Sequence, residues 1–362
     1  MSAAAEPFAA PAATEAAGEQ DLPRISVVAA VRNEADFIEP CLRSVLANDY
    51  PPDRFEVIVV DGRSTDATRA IVERLAAEDP RVKLLDNPRG IVACGVNLGI
   101  AAGTGEIITW IGGHAELAPD FLRQAAATLR RHPECWCVGG RIETVSEGWV
   151  GRSIAAAMSS PVGVGNAMFR LGGYEGYVDT VAFASYRKWI FEKIGLFDEE
   201  LVRNQDDEFN ARIINAGGRI YMNPAIRTRY YARSRLGKLA RQYYQYGFWR
   251  IRTIQKLGRP ATLRQVAPLV FVLIWLLLIA GTLAWRPVGW ALAAFAAAYL
   301  LGLLVGALDV ARKSGWREAL LAPLVFMILH FGYGLGSLKG LIWFVLLRRG
   351  PDGRPEGHPL SR

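Results

Sequence analysis

The chain has 362 residues, a formal net charge of +7, a mean hydropathy of +0.14 and 51% hydrophobic residues. That length allows one large domain or two ordinary ones. Its four cysteines lack metal-ligand spacing, which excludes a disulfide-rich or zinc-finger scaffold and suits a reducing cytoplasm. The first twenty residues lack the basic start and apolar core of a secretory signal, so we predict a disordered tail over residues 1–22.

Residues 25–31 and 55–60 are short apolar runs separated by a helix-length segment, a pattern typical of a parallel β-α-β unit. Strand and helix signals then alternate, which predicts an α/β fold with a mostly parallel sheet. Further strands are predicted at 82–85, 106–111, 136–140, 182–186 and 219–222, and helices at 35–48, 67–78, 90–102, 119–131, 188–194 and 207–216. Residues 143–179 are rich in glycine and small side chains and predict a functional loop or lid.

The C-terminal third contains three apolar runs, at residues 266–285, 287–308 and 319–338, that no Asp, Glu, Lys or Arg interrupts. Each is long enough to cross a hydrocarbon core of about 30 Å as a helix. Soluble proteins rarely bury three such helices in succession, so we predict a membrane-embedded region at 263–347 with about three spans. The orientation of the polar tail at 348–362 stays open, because three spans would export its arginines against the positive-inside tendency.

Residues 227–252 interleave eight basic residues with tyrosines and a tryptophan. Such interleaving can bind nucleic acid. Directly before a membrane span it more economically marks a cytoplasmic interface with anionic head groups. We therefore predict an amphipathic interfacial segment at 229–262 and no nucleic-acid partner.

Polar residues follow the first two strands, where parallel sheets bind ligands off the carboxyl ends of their strands. Arg32 and Glu34 follow the first strand, and Asp61 follows the second, next to Gly62. A carboxylate there can accept a hydrogen bond from a base imide or a ribose hydroxyl, and the glycine lets a ligand approach the backbone. Asp66 is better explained as a helix N-cap.

This stretch resembles the nucleotide-sugar-binding half of the inverting family-two glycosyltransferases of the GT-A fold, of the succinoglycan-biosynthesis-protein type, over about residues 24–252. The resemblance implies a GT-A domain at 23–228 ahead of the interfacial segment and the spans. It implies that Asp61 reads the nucleotide base. Arg32 and Glu34 match the polar end of the family's first strand. Ala30 belongs to the same substrate-binding stretch and stands in place of the family's frequent proline.

Arg89 and Asn97 also match the resemblance, which implies that Arg89 meets a diphosphate and that Asn97 contacts ribose. From the residues alone, Arg89 is equally a solvated loop charge and Asn97 a packing amide on a helix. Both interpretations stay open.

The family usually carries an Asp-x-Asp element after its fourth strand, which holds a divalent cation on the donor diphosphate. Here Gly112 replaces the leading aspartate, His114 falls on the second acidic position and Glu116 follows two residues on. Because alternate residues at a strand end face one way, His114 and Glu116 could share Mn²⁺ or Mg²⁺ held largely by diphosphate. The alternative is a metal-independent site in which His114 donates to phosphate.

An inverting transfer needs one carboxylate to take the proton of the attacking hydroxyl. The family places this base in a Glu-Asp pair before a helical arginine, and counting back six residues from Arg212 gives Asp206, with Gln205 in the Glu position. Asp207 is then a helix N-terminal charge, and Arg212 a partner of Glu208. Asp179 either faces the acceptor or caps a loop.

The resemblance thus implies an enzyme that moves a sugar from a nucleotide-sugar donor, with UDP sugars favoured, to a lipid-linked acceptor in cell-surface polysaccharide biosynthesis. It implies an inner-membrane protein with a cytoplasmic catalytic domain. The chain lacks the Gln-x-x-Arg-Trp string of processive synthases, which favours addition of a single sugar. A degenerate transferase that only binds a nucleotide sugar or scaffolds a membrane assembly is the alternative. A transporter is disfavoured, because His330 is the one ionisable residue within the three apolar runs apart from tyrosines.

Overall fold

The computed structural model describes Phe8 and residues 22–350. The tails predicted at 1–22 and 348–362 lie almost entirely outside the described residues. Nine strands form a single sheet of order β3-β2-β1-β4-β8-β6-β9-β5, with β7 beside β9. The strands are β1 Ile25–Val31, β2 Phe55–Asp61, β3 Val82–Asp86, β4 Ile107–Ile111, β5 Ala115–Leu117, β6 Cys135–Val145, β7 Gly176–Tyr177, β8 Ser185–Arg187 and β9 Arg219–Tyr231.

The first four strands are parallel, and their register brings the ends of β1, β2 and β3 to one edge. Val31 lies opposite Asp61, and Asp61 lies opposite Asp86. Strand β8 pairs antiparallel with both β4 and β6, while β6 and β9 run parallel to each other. The polar residues that follow β1 to β4 are therefore gathered at the same edge, as the pattern of the first two strands predicts.

Helices cover both faces of the sheet because each carries one apolar stripe. Helices α1, α2 and α4 pack on one face, and α3, α8 and α9 on the other. The helices of this part of the chain are α1 Ile38–Leu46, α2 Thr68–Glu78, α3 Val92–Ala102, α4 Phe121–Arg131, α5 Gly148–Ala157, α6 Pro161–Val164, α7 Met168–Leu171, α8 Trp189–Ile194 and α9 Gln205–Asn215.

Residues 143–179, predicted to form a functional loop or lid, contain more regular structure than that prediction implied. The long strand β6 continues to Val145, and α5, α6 and α7 follow it. Small residues gave α5 a weak pattern in the sequence, yet they let it pack closely, since a Cβ on Gly151 would lie 2.4 Å from the Ser146 hydroxyl. Helix α5 contributes Ile154 and Ala157 to a core that it shares with α10 and the C-terminal helices.

The C-terminal region consists of α10 Leu236–Leu257, α11 Ala267–Ala284, α12 Val288–Ser314, α13 Trp316–Ala319 and α14 Ala322–Gly340. A π-helical segment, Leu341–Leu346, continues α14. Among the described residues, three helices are long and apolar enough to cross a membrane, Ala267–Ala284, Val288–Ser314 and Ala322–Leu346. They match the three predicted spans, and the last one extends beyond the predicted end.

Helices α10 and α14 are in backbone contact along glycines. A Cβ on Gly247 would lie 1.9 Å from the carbonyl oxygen of Tyr333, and one on Gly336 would lie 2.0 Å from that of Tyr244. Small residues of this kind let helices approach closely. The segment predicted to lie in the membrane interface is therefore fixed to the third apolar helix along one face.

Candidate active site

A cavity of about 820 Å³ opens at the carboxyl edge of the sheet. One half, here called the sheet half, is formed by residues at or just after the carboxyl ends of β1 to β4, among them Ala30, Arg32, Glu34, Asn87 and His114. The other, called the helical half, is formed by α6, α10, α11, α12 and α14 and the segments before them. The first turn of α9, residues 205–207, also lines the cavity. A cavity with apolar walls and a few convergent polar groups is the usual form of a ligand site.

Several polar atoms that line this cavity lack a hydrogen-bond partner. Among the described residues, eight buried side-chain nitrogen or oxygen atoms have none, and four of them belong to cavity residues. These four atoms are Asn87 Oδ1, Trp110 Nε1, Gln205 Oε1 and Arg250 Nη1. Buried polar groups are almost always paired, so such a concentration in one cavity indicates groups that a ligand satisfies.

Asp206 and Asp207, both on the cavity wall, have different surroundings. Asp207 forms an ion pair with Arg250 and accepts a hydrogen bond of 3.1 Å from the Thr180 hydroxyl. Among the described residues Asp206 forms no ion pair. Burial, together with the charge of Asp207, raises the pKa of Asp206 to about 6, while Arg250 holds the pKa of Asp207 below its usual value despite burial. Asp206 thus combines access to the cavity with a pKa suited to proton transfer near neutrality.

Arg250 links the α9 turn to the third apolar helix. Its Nε donates to the Tyr333 hydroxyl at 2.8 Å, and its Nη2 binds both Asp207 and, at 3.4 Å, the Asn204 side chain. The side chain is 5% exposed. Position 204 adopts φ +63°, a left-handed conformation that asparagine tolerates better than most residues. This conformation turns the chain into α9 and so sets the position of the two aspartates.

His114 lines the cavity and Glu116 does not. The Nδ1 of His114 donates to Glu34 at 3.0 Å, which fixes the imidazole against a second cavity residue. Glu116 instead accepts a hydrogen bond of 2.6 Å from the Tyr231 hydroxyl and pairs with Arg229 at 3.3 Å. The structure therefore brings Glu34, rather than Glu116, to His114.

Asp61 is 3% exposed and lies beside the cavity rather than on its wall. Its carboxylate accepts hydrogen bonds from the Ser64 hydroxyl at 2.5 Å and from the Ser64 amide at 3.2 Å. Arg69 lies 4.0 Å away. Gly62, the next residue, does line the cavity.

Four further candidates lie outside the cavity lining. The amide of Asn97 exchanges two hydrogen bonds with the backbone of Phe197, at 2.9 and 3.0 Å, as the packing interpretation expects. Arg212 binds Glu208 and the carbonyl oxygens of Ile194 and Leu196, both at 2.7 Å. Arg89 is paired with Glu199, and Asp179 with Arg264 at 2.7 Å. In this structure these contacts secure loops around the cavity.

Some cavity residues were not singled out from the sequence. Trp110 lies within the apolar run of β4 and is therefore interpreted from sequence as a core residue, and Tyr333 is 83 residues from its partner Arg250. Arg203 and Arg264 also line the cavity, but neither stands in a distinguishing local pattern. No spacing rule could have found them, because the contacts depend on how α10 and α14 pack.

Comparison with known proteins is consistent with this geometry. Residues 26–195 match the sequence model described as Glycosyl transferase family 2. The succinoglycan biosynthesis protein ExoA of Rhizobium meliloti (strain 1021) is 32% identical over 86% of this chain and 93% of its own length. The chain belongs to glycosyltransferase family 2. A second relative of this transferase, from Methanococcus voltae, is 28% identical over 88% of the chain and 97% of its own length. That relative is a dolichyl N-acetyl-alpha-D-glucosaminyl phosphate 3-beta-D-2,3-diacetamido-2,3-dideoxy-beta-D-glucuronosyltransferase.

Solved structures agree on the fold of the transferase. The mannosyltransferase PcManGT of Pyrobaculum calidifontis, in complex with GDP-Man and Mn²⁺, superposes with a TM-score of 0.59 at 20% identity, covering 93% of this chain and 91% of its own. Residues 1–349 of S. aureus TarS superpose with a TM-score of 0.50 at 18% identity, covering 87% and 90%. The predicted family, GT-A fold and enzyme class of the transferase are confirmed.

Proposed function

We propose that this transferase moves a single sugar, with inversion, from a nucleotide-sugar donor, with UDP sugars favoured, to a lipid-linked acceptor, with Asp206 as the base. The proposal depends chiefly on the position and the pKa of Asp206. It lines the cavity beside the unpaired oxygen of Gln205, and its pKa is raised to about 6. The named relatives include a succinoglycan biosynthesis protein and a transferase whose acceptor is a dolichyl-linked sugar phosphate, which supports a lipid-linked acceptor here.

In the proposed reaction the acceptor hydroxyl attacks the anomeric carbon while Asp206 takes its proton. The bond between that carbon and the donor diphosphate breaks, and the electron pair leaves with the diphosphate. Displacement with inversion places attacking and leaving groups on opposite faces of the sugar. The donor would occupy the sheet half, where Asn87 and Trp110 offer an unpaired acceptor and donor, and the acceptor would occupy the helical half.

The donor set at the sheet half suits a cation that binds only together with the diphosphate. Among the described residues no group of three or more His, Cys, Asp or Glu could hold a metal ion alone. Mg²⁺ and Mn²⁺ at phosphates commonly take one or two protein ligands. His114, oriented by Glu34, would hold the cation, and Glu116 would join only by leaving Arg229 and Tyr231. When bound, the cation would neutralise charge on the leaving diphosphate.

The apolar helices support a multi-pass membrane protein with a cytoplasmic catalytic domain. The large apolar side chains of these helices are exposed, with Leu277, Leu283 and Leu300 at 70%, 86% and 63%. Such exposure is unfavourable in water and favourable in contact with lipid. Trp285 and Trp290 stand exposed at the turn between α11 and α12, where aromatic residues mark a membrane interface. Cytoplasmic nucleotide sugars would then reach the sheet half directly.

The first experiment is turnover by the full-length protein in detergent with UDP-, GDP- and dTDP-sugars, a lipid-linked sugar acceptor, and either Mn²⁺ or EDTA. We expect transfer with one donor class and its loss in Asp206→Asn. Replacement of the family's leading aspartate by Gly112 motivates the alternative, a nucleotide-sugar-binding or scaffolding subunit. Donor binding without transfer under every condition would favour that alternative.

A further inference from the structure

The charge on the cavity wall is unevenly paired. Six arginines and three carboxylates line it, so the wall carries an excess of positive charge. Arg264 is paired with Asp179, whereas Arg170 and Arg203 each donate to a neutral side chain, Thr144 and Gln245 respectively. Among the described residues Arg32 and Arg233 form no hydrogen bond or ion pair, and Arg250 keeps Nη1 without an acceptor. Guanidinium groups left unpaired in a cavity indicate an anionic ligand.

Arg32, Arg233 and Arg250 lie in different parts of the cavity wall. Arg32 follows β1 and belongs to the sheet half, which suits the diphosphate of the donor. Arg233 lies between β9 and α10, and Arg250 is on α10, so both belong to the helical half. A donor bound at the sheet half accounts for Arg32 and leaves the other two arginines without a ligand.

The helical half continues from these arginines to apolar helices. Phe271 of α11, Tyr299 of α12 and Leu329 of α14 line the same cavity. Arg250 contacts the base region through Asp207 and the third apolar helix through Tyr333. An anion held there lies between the proposed base and surfaces suited to an acyl or prenyl chain. A sugar joined to a lipid through phosphate has this order of groups.

We propose that Arg233 and Arg250 bind the phosphate group through which the acceptor sugar is joined to its lipid. This inference rests on the proposed function. Arg250 is the buried contact, held in place by Asp207 and Tyr333, and Arg233 is the more accessible one. The same chemistry could come from the donor diphosphate or from a phospholipid head group, and the test separates these sources.

The test compares two acceptors that carry the same sugar, one on a lipid diphosphate and one on an alkyl chain without phosphate. Both are assayed with the full-length protein in a neutral detergent, with the nucleotide sugar saturating. We expect wild type to prefer the phosphate-bearing acceptor in kcat/KM. Because one charge-assisted hydrogen bond accounts for roughly 10- to 100-fold, Arg233→Gln should reduce that preference by about tenfold. Since Arg233 has no side-chain partner to lose within the part of the chain that the structure describes, the variant should fold.

The chain offers a matched control for each arginine. Arg235 is exposed, two residues from Arg233, and does not line the cavity. Arg252 is on the same helix as Arg250, pairs with Glu200 and also lies outside the lining. Arg235→Gln and Arg252→Gln should keep the wild-type preference, whereas Arg250→Gln should lose it and Arg250→Lys should retain part of it.

Other outcomes would overturn the inference. If Arg233→Gln and Arg250→Gln lower kcat/KM for both acceptors equally, the arginines do not bind the acceptor phosphate. If they raise the donor KM in hydrolysis without an acceptor, they serve the donor diphosphate. If the preference for the phosphate-bearing acceptor appears only after phosphatidylglycerol is added, the two arginines bind phospholipid head groups. Wild type that transfers without preference contradicts this inference alone, and wild type that transfers to neither acceptor contradicts the proposed function.

Discussion

Arg250 binds the carboxylate of Asp207 and leaves the adjacent Asp206 without an ion pair among the described residues. The two acids are consecutive in the first turn of α9, and the spacing to Arg212 that the family resemblance implies favours Asp206 as the base. Pairing stabilises the charged form of Asp207 and makes it a poor proton acceptor, whereas Asp206 keeps a higher proton affinity. The arginine on α10 thereby gives two neighbouring carboxylates different proton affinities, which favours Asp206 as the proposed base.

Replacing the base should remove turnover while sparing donor binding. Asp206→Asn retains size and polarity but cannot accept the proton, so we expect the transfer rate to fall by about 10²- to 10⁴-fold. The Kd for the nucleotide sugar, measured by calorimetry, should change little. A variant that retains at least a tenth of the wild-type rate would show that another group takes the proton.

The rate should depend on pH through the same carboxylate. Since the pKa of Asp206 is about 6, the base form is lost below that pH and kcat/KM should fall as pH decreases from 7 to 5. Asp207→Asn removes the negative neighbour that raises this pKa and leaves Arg250 to act on Asp206 alone. The acidic limb of the curve of kcat/KM against pH should therefore move to lower pH. An unmoved limb would mean that the titrating group is not Asp206.

The site could be predicted from sequence only where a local motif carries it. Asp206, Gln205, Arg32, Glu34 and His114 were found because strand ends and the spacing to Arg212 are local features, and all five line the cavity. Ala30 also lines it. The same reasoning could not show that Glu116 turns to Arg229 and Tyr231, because this depends on β5 pairing with β9, more than 100 residues away.

The fold was predictable for a similar reason. Buried parallel strands appear as continuous apolar runs, so β1 to β4 were placed closely, while β5 and β7 were too short to give a signal. Helix α5 was missed because its glycines and small residues resemble a loop. The packing of α10 on α14 does have a trace in the sequence, because Gly332, Gly336 and Gly340 recur every four residues and face α10, but that spacing was not used in predicting the fold.

A divalent cation should be needed and should act through His114. We expect EDTA to abolish transfer, and Mn²⁺ to restore it better than Mg²⁺ because Mn²⁺ accepts imidazole more readily. His114→Ala should raise the Mn²⁺ concentration for half-maximal rate about tenfold or more, as loss of a ligand or its orienting partner commonly does. Glu116→Gln should raise it less, given the contacts of Glu116 with Tyr231 and Arg229. Full activity in EDTA would support the metal-independent alternative.

Asn97 should matter for stability and not for the donor. Asn97→Ala leaves the amide and carbonyl of Phe197 without their partners, which costs about 1–3 kcal/mol for each buried group. We expect a lower thermal midpoint and a donor KM within twofold of wild type. An increased donor KM at unchanged stability would instead support the ribose contact that the family resemblance implies.

Contact between α10 and α14 should be required for activity, because it holds Arg250 against Tyr333. Gly247→Ala would place a Cβ 1.9 Å from the Tyr333 carbonyl oxygen, so the helices must separate, at a cost of about 1–3 kcal/mol. We expect transfer to fall while the sheet half still binds nucleotide. Gly302→Ala on α12 is the matched control, since a Cβ added there would have none of the described atoms within 4 Å, and it should keep wild-type transfer and stability. If Gly247→Ala transferred sugar at the wild-type rate, the active enzyme would not need these helices in contact, and the role of Arg250 in separating the two aspartates would fail with it.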